Sequence, residues 1–189
     1  MGRPKESLPF GTDTMLGRAA AAATSCCAPV VVVAQAGQDL PALPAAVERT
    51  NDDRPGEGPL AAIATGLRFL VERHGFGPRD AGFVTACDTP FVTAAAIVFL
   101  HERLGAASLV LPRTSDGLHP LCAIWRVDTA ATIDSLLAAG VRTPRRVAEF
   151  VPTRFVDEDE LRAFDPELRM LRNVNAPADY DRARADDRS

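Results

Sequence analysis

The chain has 189 residues, a hydrophobic content of 47% and a formal net charge of −4 at pH 7, which together suit one α/β domain over residues 1–189. Its Lys and Arg residues form no basic stripe with interleaved aromatic residues, so an extended nucleic-acid interface is not expected. The sequence has no apolar run near the length of about 20 residues that spans a bilayer, and no signal-peptide pattern at its start. We therefore expect a cytoplasmic protein.

Helical and strand patterns alternate along the chain. Apolar spacing and Ala-rich composition predict helices at 14–25, from Pro59 to a stop at Gly75, and at 93–104, 129–139 and 177–185. Short β-branched or apolar runs predict strands at 30–33, 81–86, 108–111 and 121–127. This alternation favours the α/β class, with helices on both faces of a mostly parallel sheet.

Asp88 stands at the end of the predicted strand 81–86, within the segment Cys-Asp-Thr-Pro-Phe at 87–91. Open α/β sheets bind ligands outside the carboxyl ends of their strands, and Mg²⁺ prefers carboxylate, water and phosphate oxygens. We therefore expect Asp88 to anchor a metal ion and phosphate groups. The alternative, from these residues alone, is that Asp88 caps the helix that follows.

A second polar segment, residues 51–58, ends where the helix at Pro59 begins. A helix N-terminus offers free N–H groups and a partial positive charge to an anion. This segment is therefore a candidate for another wall of the site. The alternative is an ordinary solvated loop.

The four cysteines give no metal-binding signature. They stand at 26, 27, 87 and 122, without a C-x-x-C pair and without a His at zinc-ligand spacing. Strand alternation points the side chains of Cys87 and Asp88 in opposite directions, so a nucleophilic thiol is not expected. Cys26 and Cys27 are expected to be small buried hydrophobic residues.

Five short segments follow one another along the chain: MGRPK at 1–5, DRPGEGPLA at 53–61, CDTPF at 87–91, His-Pro at 119–120 and NVNAP at 173–177. Together they resemble the molybdenum cofactor guanylyltransferases, the MobA-type nucleotidyltransferases, over nearly the whole chain. The resemblance implies a Rossmann-like three-layer α/β sandwich of the nucleotidyltransferase type. It also implies attack by the terminal phosphate of molybdopterin on the α-phosphate of GTP, which yields the guanine dinucleotide cofactor and pyrophosphate.

The resemblance also implies roles for individual residues. Lys5 would neutralise nucleotide phosphates, and Asp88 would bind a Mg²⁺ ion that bridges them, so these two are the expected catalytic residues. An acidic residue before the Gly-Pro-Leu-Ala segment would contact the nucleoside, and Asp52 and Asp53 compete for that role. The expected nucleotide-binding set is Lys5, Asp52, Asp53, Gly58, Pro59, Leu60 and Asp88.

On the pterin side, Asn173 and Asn175 would line the pocket that the pterin phosphate approaches, and His119 is a further candidate contact. The implied cofactor is Mg²⁺, and the implied substrates are GTP and molybdopterin. Molybdenum-insertion proteins and molybdoenzyme chaperones are the implied protein partners of a monomer or weak oligomer, without nucleic acid or membrane. Such transfers depend on alignment and charge neutralisation, which a Lys, an Asp and helix-end amides supply.

Two other functions stay open. One is a related nucleotidyltransferase that uses CTP, with molybdopterin or a sugar phosphate as the acceptor. The other is a non-catalytic nucleotide-binding or scaffold protein that keeps a degenerate pocket. A nucleotide competition assay distinguishes the first alternative, and Mg²⁺-dependent pyrophosphate release distinguishes the second.

The chain departs from the family pattern at its start. The family signature begins with a strand and a Gly-rich loop of the type L-A-G-G-x-S-x-R ahead of M-G-x-x-K, whereas this sequence begins at Met1. Loss of an interior strand is expected to cost an amount comparable to the whole stability of a domain, about 5–15 kcal/mol. Either an internal Met was taken as the start, or the chain is a truncated relative. The persistence of Lys5, the Asp53 segment, Asp88 and Asn175 favours the first explanation.

Overall fold

Helices and strands alternate across residues 4–174 and 177–186, which are the residues that the computed structural model describes. The α-helices of this part are α1 Met15–Thr24, α2 Pro59–His74, α3 Ala94–His101, α4 Thr129–Ala138, α5 Glu158–Phe164 and α6 Pro177–Asp186. Its strands are β1 Pro9–Phe10, β2 Asp13–Thr14, β3 Val30–Ala34, β4 Val47–Asn51, β5 Ala81–Thr85, β6 Leu109–Thr114, β7 Gly117–Leu118, β8 Cys122–Arg126 and β9 Thr153–Asp157.

Helix α2 shows how local sequence sets the bounds of an element. Pro59 occupies its first turn, where a missing N–H costs nothing, and Gly75 ends it in a left-handed conformation with φ of 69°. Leu60, Ile63 and Leu67 recur on one face and are buried. That apolar face packs on the sheet, as the spacing predicts.

The described strands form one five-stranded sheet and two pairs. In the large sheet, β8 lies between β5 and β6 and runs antiparallel to both, while β9 pairs with β6 in parallel. The short β7 forms a hairpin with β6. Strands β3 and β4 form a separate parallel pair, and β1 and β2 form an antiparallel hairpin.

The α/β class is confirmed, although the sheet is a mix of parallel and antiparallel ladders where the alternation favours a mostly parallel one. The reason lies in the connection between β6 and β8, which spans residues 115–121 and contains no helix. A parallel neighbour needs a crossover of about a dozen residues or more. The short connection therefore places β8 antiparallel.

Helices cover both faces of the large sheet and give three layers. Leu109, Leu111 and Trp125 belong to an apolar cluster with residues of α2 and α4. Val110 and Ile124, which alternate with them along β6 and β8, belong to a second cluster with residues of α3 and α5. None of the helices in the described ranges combines the length and apolar composition needed to cross a membrane.

The expectation of two buried cysteines after α1 is wrong. Cys26 is exposed and Cys27 is only partly buried. Both line a cavity that lies between β3 and β5. The open cavity leaves these side chains without packing on that side.

Candidate active site

The turn after β5 fixes the position of Asp88 at the carboxyl end of the strand. The buried hydroxyl of Thr89 donates to Ala86 O at 2.8 Å and lies 2.7 Å from the Thr85 hydroxyl. Val174 N donates to Asp88 O at 2.8 Å and connects the turn to the segment before α6. The backbone around Asp88 is therefore held from both sides.

Asp88 does not cap the helix that follows. The N-cap of α3 is Thr93, whose hydroxyl accepts a hydrogen bond from Ala96 N at 3.2 Å. The capping alternative is therefore wrong, and the Asp88 carboxylate faces Lys5 instead.

Lys5 Nζ lies 3.7 Å from Asp88 Oδ2, and the two side chains are 40% and 19% exposed. A single 3₁₀ turn at Lys5–Ser7 positions the lysine, and Glu6 in that turn accepts from Gln38 Nε2 at 2.6 Å. An exposed ion pair contributes only about 0–1 kcal/mol to stability. The position of the pair is more informative than its contribution to stability. It places a cation and a carboxylate at the edge of the sheet where α/β proteins bind phosphate ligands.

Lys5 is also the only lysine in a sequence whose 21 basic residues are otherwise all arginine. An ammonium group is a compact point charge with rotatable donors, whereas a guanidinium is a rigid planar fork. A compact cation suits a site in which phosphate oxygens move during transfer. The single lysine also makes this position addressable by amine-specific reagents.

Asp52 and Asp53, which compete for one predicted role, have different surroundings. The Asp52 carboxylate accepts from Arg54 N at 3.0 Å, and its own N–H donates to the last residue of β3 at 2.8 Å. Asp53 Oδ2 instead lies 2.9 Å from Arg68 Nη2, and Arg68 also binds a carboxylate on α4. Asp53 therefore joins the loop to two helices, whereas Asp52 stays at the ends of β3 and β4.

The N-terminus of α2 follows this loop. Gly58 has φ of 86°, a conformation that would strain other residues, and Pro59 takes the first helical position. The Leu60 side chain is fully buried in the core, so Leu60 can offer a nucleotide only its backbone. The helix end supplies the N–H groups and partial positive charge that suit an anion.

A cavity of about 500 Å³ lies beside the segment that binds the Asp88 backbone, and we call it the basic cavity for the three arginines in its lining. His119 and Asn173, two of the predicted pterin-side residues, both line it. Val174, which binds the Asp88 carbonyl, lines it as well. The third predicted residue, Asn175, lies outside the described residues. The fold thus brings His119 and Asn173 together although they are far apart in sequence.

Three arginines outside the predicted motifs line the basic cavity, Arg162, Arg172 and Arg182, and three acidic residues line it as well, Asp116, Glu167 and Asp179. Arg162 binds Glu158 at 2.7 Å, and Arg182 binds Asp179 at 2.7 Å. Arg172 stacks on the ring of Phe91, with 5.4 Å between the guanidinium carbon and the ring centroid. They come from α5, from the segment before α6 and from α6 itself, so only the tertiary structure could assemble them.

His119 Nε2 lies 2.8 Å from the Thr114 hydroxyl inside this cavity. Burial lowers the pKa of His119 below its usual value, and the nearby Asp116 opposes that shift. The imidazole is therefore neutral near pH 7. One ring nitrogen can form a hydrogen bond with Thr114, and the other can form one with a ligand.

Cys87 lies next to Asp88 but is poorly suited to nucleophilic chemistry. Burial, followed by the charges of Asp88 and Glu6, raises its pKa to about 11. The thiol is therefore protonated near neutral pH, whereas the thiolate is the reactive form.

The donor set at Asp88 suits a Mg²⁺ ion that arrives with a nucleotide. Across the described residues, no three His, Cys, Asp or Glu side chains cluster as a metal site. Mg²⁺ in nucleotide sites is commonly held by one or two carboxylates together with substrate phosphates and waters. One partly exposed carboxylate beside Lys5 meets that requirement only when phosphates are present.

Comparison with known proteins identifies one family. Residues 1–154 match the family model described as the MobA-like NTP transferase domain. A Mycobacterium tuberculosis protein named "Probable molybdenum cofactor guanylyltransferase" is 39% identical over 182 residues, which cover 94% of this chain and 84% of that protein.

Solved structures show the same fold. Molybdopterin-guanine dinucleotide biosynthesis protein A from Archaeoglobus fulgidus superposes with a TM-score of 0.74 at 22% identity, covering 99% of this chain and 92% of that one. The 2-C-methyl-D-erythritol 4-phosphate cytidylyltransferase from Thermus thermophilus gives a TM-score of 0.72 at 16% identity, covering 98% and 94%. At these identities the likeness shows the fold alone.

Proposed function

The chain belongs to the MobA-like NTP transferase domain family and is a nucleotidyltransferase, and we propose that it transfers GMP from GTP to molybdenum-molybdopterin. The products would be the guanine dinucleotide cofactor and pyrophosphate. One observation carries the choice of site: the Lys5–Asp88 pair lies at the carboxyl end of β5, beside the basic cavity. The name of the mycobacterial relative favours a guanylyl donor.

In this reaction an oxygen of the terminal phosphate of molybdopterin forms a bond to the α-phosphorus of GTP. The bond from that phosphorus to the oxygen that bridges to the β-phosphate breaks, and pyrophosphate leaves with the electron pair. Lys5 neutralises charge on the phosphate oxygens, and Asp88 would hold Mg²⁺, which would supply further neutralisation when bound. Alignment and charge neutralisation account for most of catalysis in such transfers.

We assign the nucleotide to the side of the site formed by the polar loop and the N-terminus of α2. Asp52 is the better placed of the two candidate carboxylates, because Arg68 already neutralises Asp53. A carboxylate at this position accepts hydrogen bonds from N–H or hydroxyl groups of the nucleoside. The helix end and Gly58 offer backbone N–H groups to the phosphates.

We assign the acceptor to the basic cavity. Its volume of about 500 Å³ lies within the range of about 300–1,000 Å³ usual for small-molecule sites. Its three arginines offer donors to an anionic group of the acceptor, the carboxylates of Asp116, Glu167 and Asp179 reduce its net charge, and His119 and Asn173 offer hydrogen bonds to a polar ring. Asn175 stays a predicted member of this side.

The proposed function is tested by nucleotide choice. Calorimetry would compare Mg²⁺-dependent binding of GTP and CTP, and pyrophosphate release would be followed with molybdopterin present. Both assays would use this chain and a version extended upstream through the next in-frame start. We expect preference for GTP and acceptor-dependent release. Preference for CTP would indicate a cytidylyltransferase, and absence of binding and release in both versions would indicate a non-catalytic binding protein.

A further inference from the structure

A run of acidic residues, 157–160, stands where β9 ends and α5 begins. The carboxylates of Asp157, Glu158 and Glu160 each bind an arginine side chain at 2.6–2.7 Å. Among the arginines that they bind in the described part of the chain, the one that lines the basic cavity is Arg162, the partner of Glu158. Glu158 is therefore the member of this run that is connected to the candidate site.

Glu158 joins two parts of the cavity wall through the two oxygens of its carboxylate. Oε1 accepts from Arg162 Nε at 2.9 Å and from Arg162 Nη2 at 2.7 Å, and Oε2 accepts from Ser115 N at 2.7 Å. Ser115 lies in the turn between β6 and β7, and its neighbours Thr114 and Asp116 line the basic cavity. The same carboxylate thus holds a cavity arginine and a cavity turn.

The Glu158 carboxylate is charged at neutral pH. The hydrogen bond from the Ser115 backbone, followed by those from Arg162, lowers the pKa of Glu158 to about 2. Hydrogen bonds to a charged acceptor are stronger than those between neutral groups. Arg162 and the β6–β7 turn are therefore held more firmly than a neutral side chain would hold them.

The Arg162 guanidinium is fixed but not saturated by its partners. Besides its bonds to Glu158, its Nη1 donates to Pro166 O at 2.8 Å. A guanidinium carries five N–H groups, so one N–H on each terminal nitrogen has no hydrogen bond to residues 4–174 and 177–186. A pair of N–H groups on the two terminal nitrogens binds two oxygens of one phosphate group.

We propose, on the basis of the acceptor that the proposed function assigns to the basic cavity, that Glu158 is a positioning residue for the phosphate group of that acceptor. Arg162 supplies two N–H groups to the phosphate oxygens, and Glu158 holds the guanidinium in place for them. Glu158 also fixes the turn that carries Thr114, which is hydrogen-bonded to His119 in the same cavity. Fixing these groups before the acceptor arrives reduces the entropy lost on binding.

Charge and position predict opposite effects for loss of the Glu158 carboxylate. Removal of a negative charge near an anion site, by itself, strengthens anion binding. Loss of a positioning group weakens binding, because Arg162 and the β6–β7 turn then adopt more conformations. The sign of the change in acceptor affinity therefore separates a positioning role from a purely electrostatic one.

Glu158→Gln tests the positioning role in the full chain. A glutamine side chain has one acceptor oxygen, so it can keep the bonds from Arg162 or the bond from Ser115 N, but not both. Calorimetry without nucleotide would measure molybdopterin binding, and we expect the affinity to fall about fivefold. The KM for molybdopterin should rise in parallel, whereas the KM for GTP should stay unchanged.

The matched control is Glu160→Gln in the same acidic run. Glu160 binds Arg103 and Arg154, and neither arginine is among the described residues that line the basic cavity. Its loss should change the affinity for molybdopterin less than about twofold.

A second variant tests the arginine directly. Arg162→Lys keeps the positive charge but lacks the planar fork, so we expect a loss of molybdopterin affinity similar to that of Glu158→Gln. Because both substitutions act on the same contact, the double variant should bind about as well as either single variant.

Three results would overturn the positioning role: unchanged or tighter molybdopterin binding by Glu158→Gln, an equal loss in Glu160→Gln, or additive losses in the double variant. If Glu158→Gln does not fold, Arg162→Lys decides, and unchanged affinity in that variant rejects the role. Preference for CTP over GTP would change the proposed function but not these acceptor measurements.

An unsubstituted chain that does not bind molybdopterin would show that the proposed acceptor is wrong. Inorganic phosphate, titrated by calorimetry, is then the probe of the Arg162 fork. Weaker phosphate binding by Glu158→Gln than by the unsubstituted chain would still support the positioning role. Equal binding, or no binding by the unsubstituted chain, would reject it.

Discussion

The nucleotide side and the acceptor side of the candidate site are built differently. The nucleotide side consists of short segments: the turn at Lys5, the loop before α2 and the turn after β5. The acceptor side gathers His119, Asn173 and arginines from separate elements around one cavity. Sequence motifs therefore predict the first side together with His119 and Asn173 of the second, whereas only the topology adds the arginines to the second. If the two sides act separately, substitutions on each should affect different kinetic constants.

The largest effect is expected at Asp88, which lies on the nucleotide side and whose carbonyl accepts a hydrogen bond from Val174 of the basic cavity. Asp88→Asn keeps the size of the side chain and removes its charge, so we expect kcat to fall at least about a hundredfold with little change in Tm. Steady-state pyrophosphate release and thermal unfolding measure the two quantities. The matched control is Asp128→Asn, an exposed residue before α4 whose side chain makes no capping hydrogen bond. A near-normal rate in Asp88→Asn would remove Asp88 from the catalytic role.

The second largest effect is expected at Lys5 and tests the nucleotide side alone. Lys5→Ala should weaken GTP binding about tenfold, because a charge-assisted contact to phosphate is lost, and Lys5→Arg should restore only part of it. Calorimetry measures the affinity. As Lys5 is the only lysine, GTP should also protect it from amine acylation, detected by mass spectrometry of its peptide. Unchanged affinity together with unprotected Lys5 would place the phosphates elsewhere.

A smaller effect is expected at His119 and tests the acceptor side alone. His119→Ala should raise the KM for molybdopterin several-fold and leave the KM for GTP unchanged, because His119 lines the basic cavity, to which we assign the acceptor. The control is His101→Ala at the exposed end of α3. A parallel rise in both KM values would show that the two sides are not separable.

The smallest effect concerns pH. Because burial lowers the pKa of His119, the unfolded chain binds more protons at this residue than the folded chain. Stability is therefore lost as the pH falls through the unfolded value of 6.5 toward the lower folded value. We expect a fall in Tm between pH 7 and pH 5 that is smaller in His119→Gln. Equal falls in both proteins would exclude His119 as the source.

Some elements could be predicted from the sequence and others could not, for physical reasons. Helix α2 has Pro59 and Gly75 at its ends and apolar residues at helical spacing, so its bounds were predicted. Strands β4 and β9 were not predicted, because their sequences VERTN and TRFVD mix polar and apolar residues. These two strands are stabilised by pairing with β3 and β6. Tertiary pairing overrides local propensity in such strands.

The candidate site divides in the same way. Asp88 could be placed at a strand end from the apolar run before it, and Lys5 from a family resemblance. The distance of 3.7 Å between these two side chains could not be predicted, because it depends on Leu8 and Phe10 of the N-terminal segment packing with Phe91, which follows β5 along the chain. Nothing in the local sequence of Arg162 or Arg182 distinguishes them from the other arginines.

The sequence by itself determined five of the six described α-helices, the four strands β3, β5, β6 and β8, the α/β class and the position of Asp88, because side-chain periodicity and backbone preferences act over a few residues. Only the tertiary structure decided that β8 runs antiparallel, that Arg162 and Arg182 line the same cavity as His119 and Asn173, and that β3 and β5 face each other across an open space. These features depend on contacts between residues distant along the chain, whose free energy is gained only when the whole sheet is assembled.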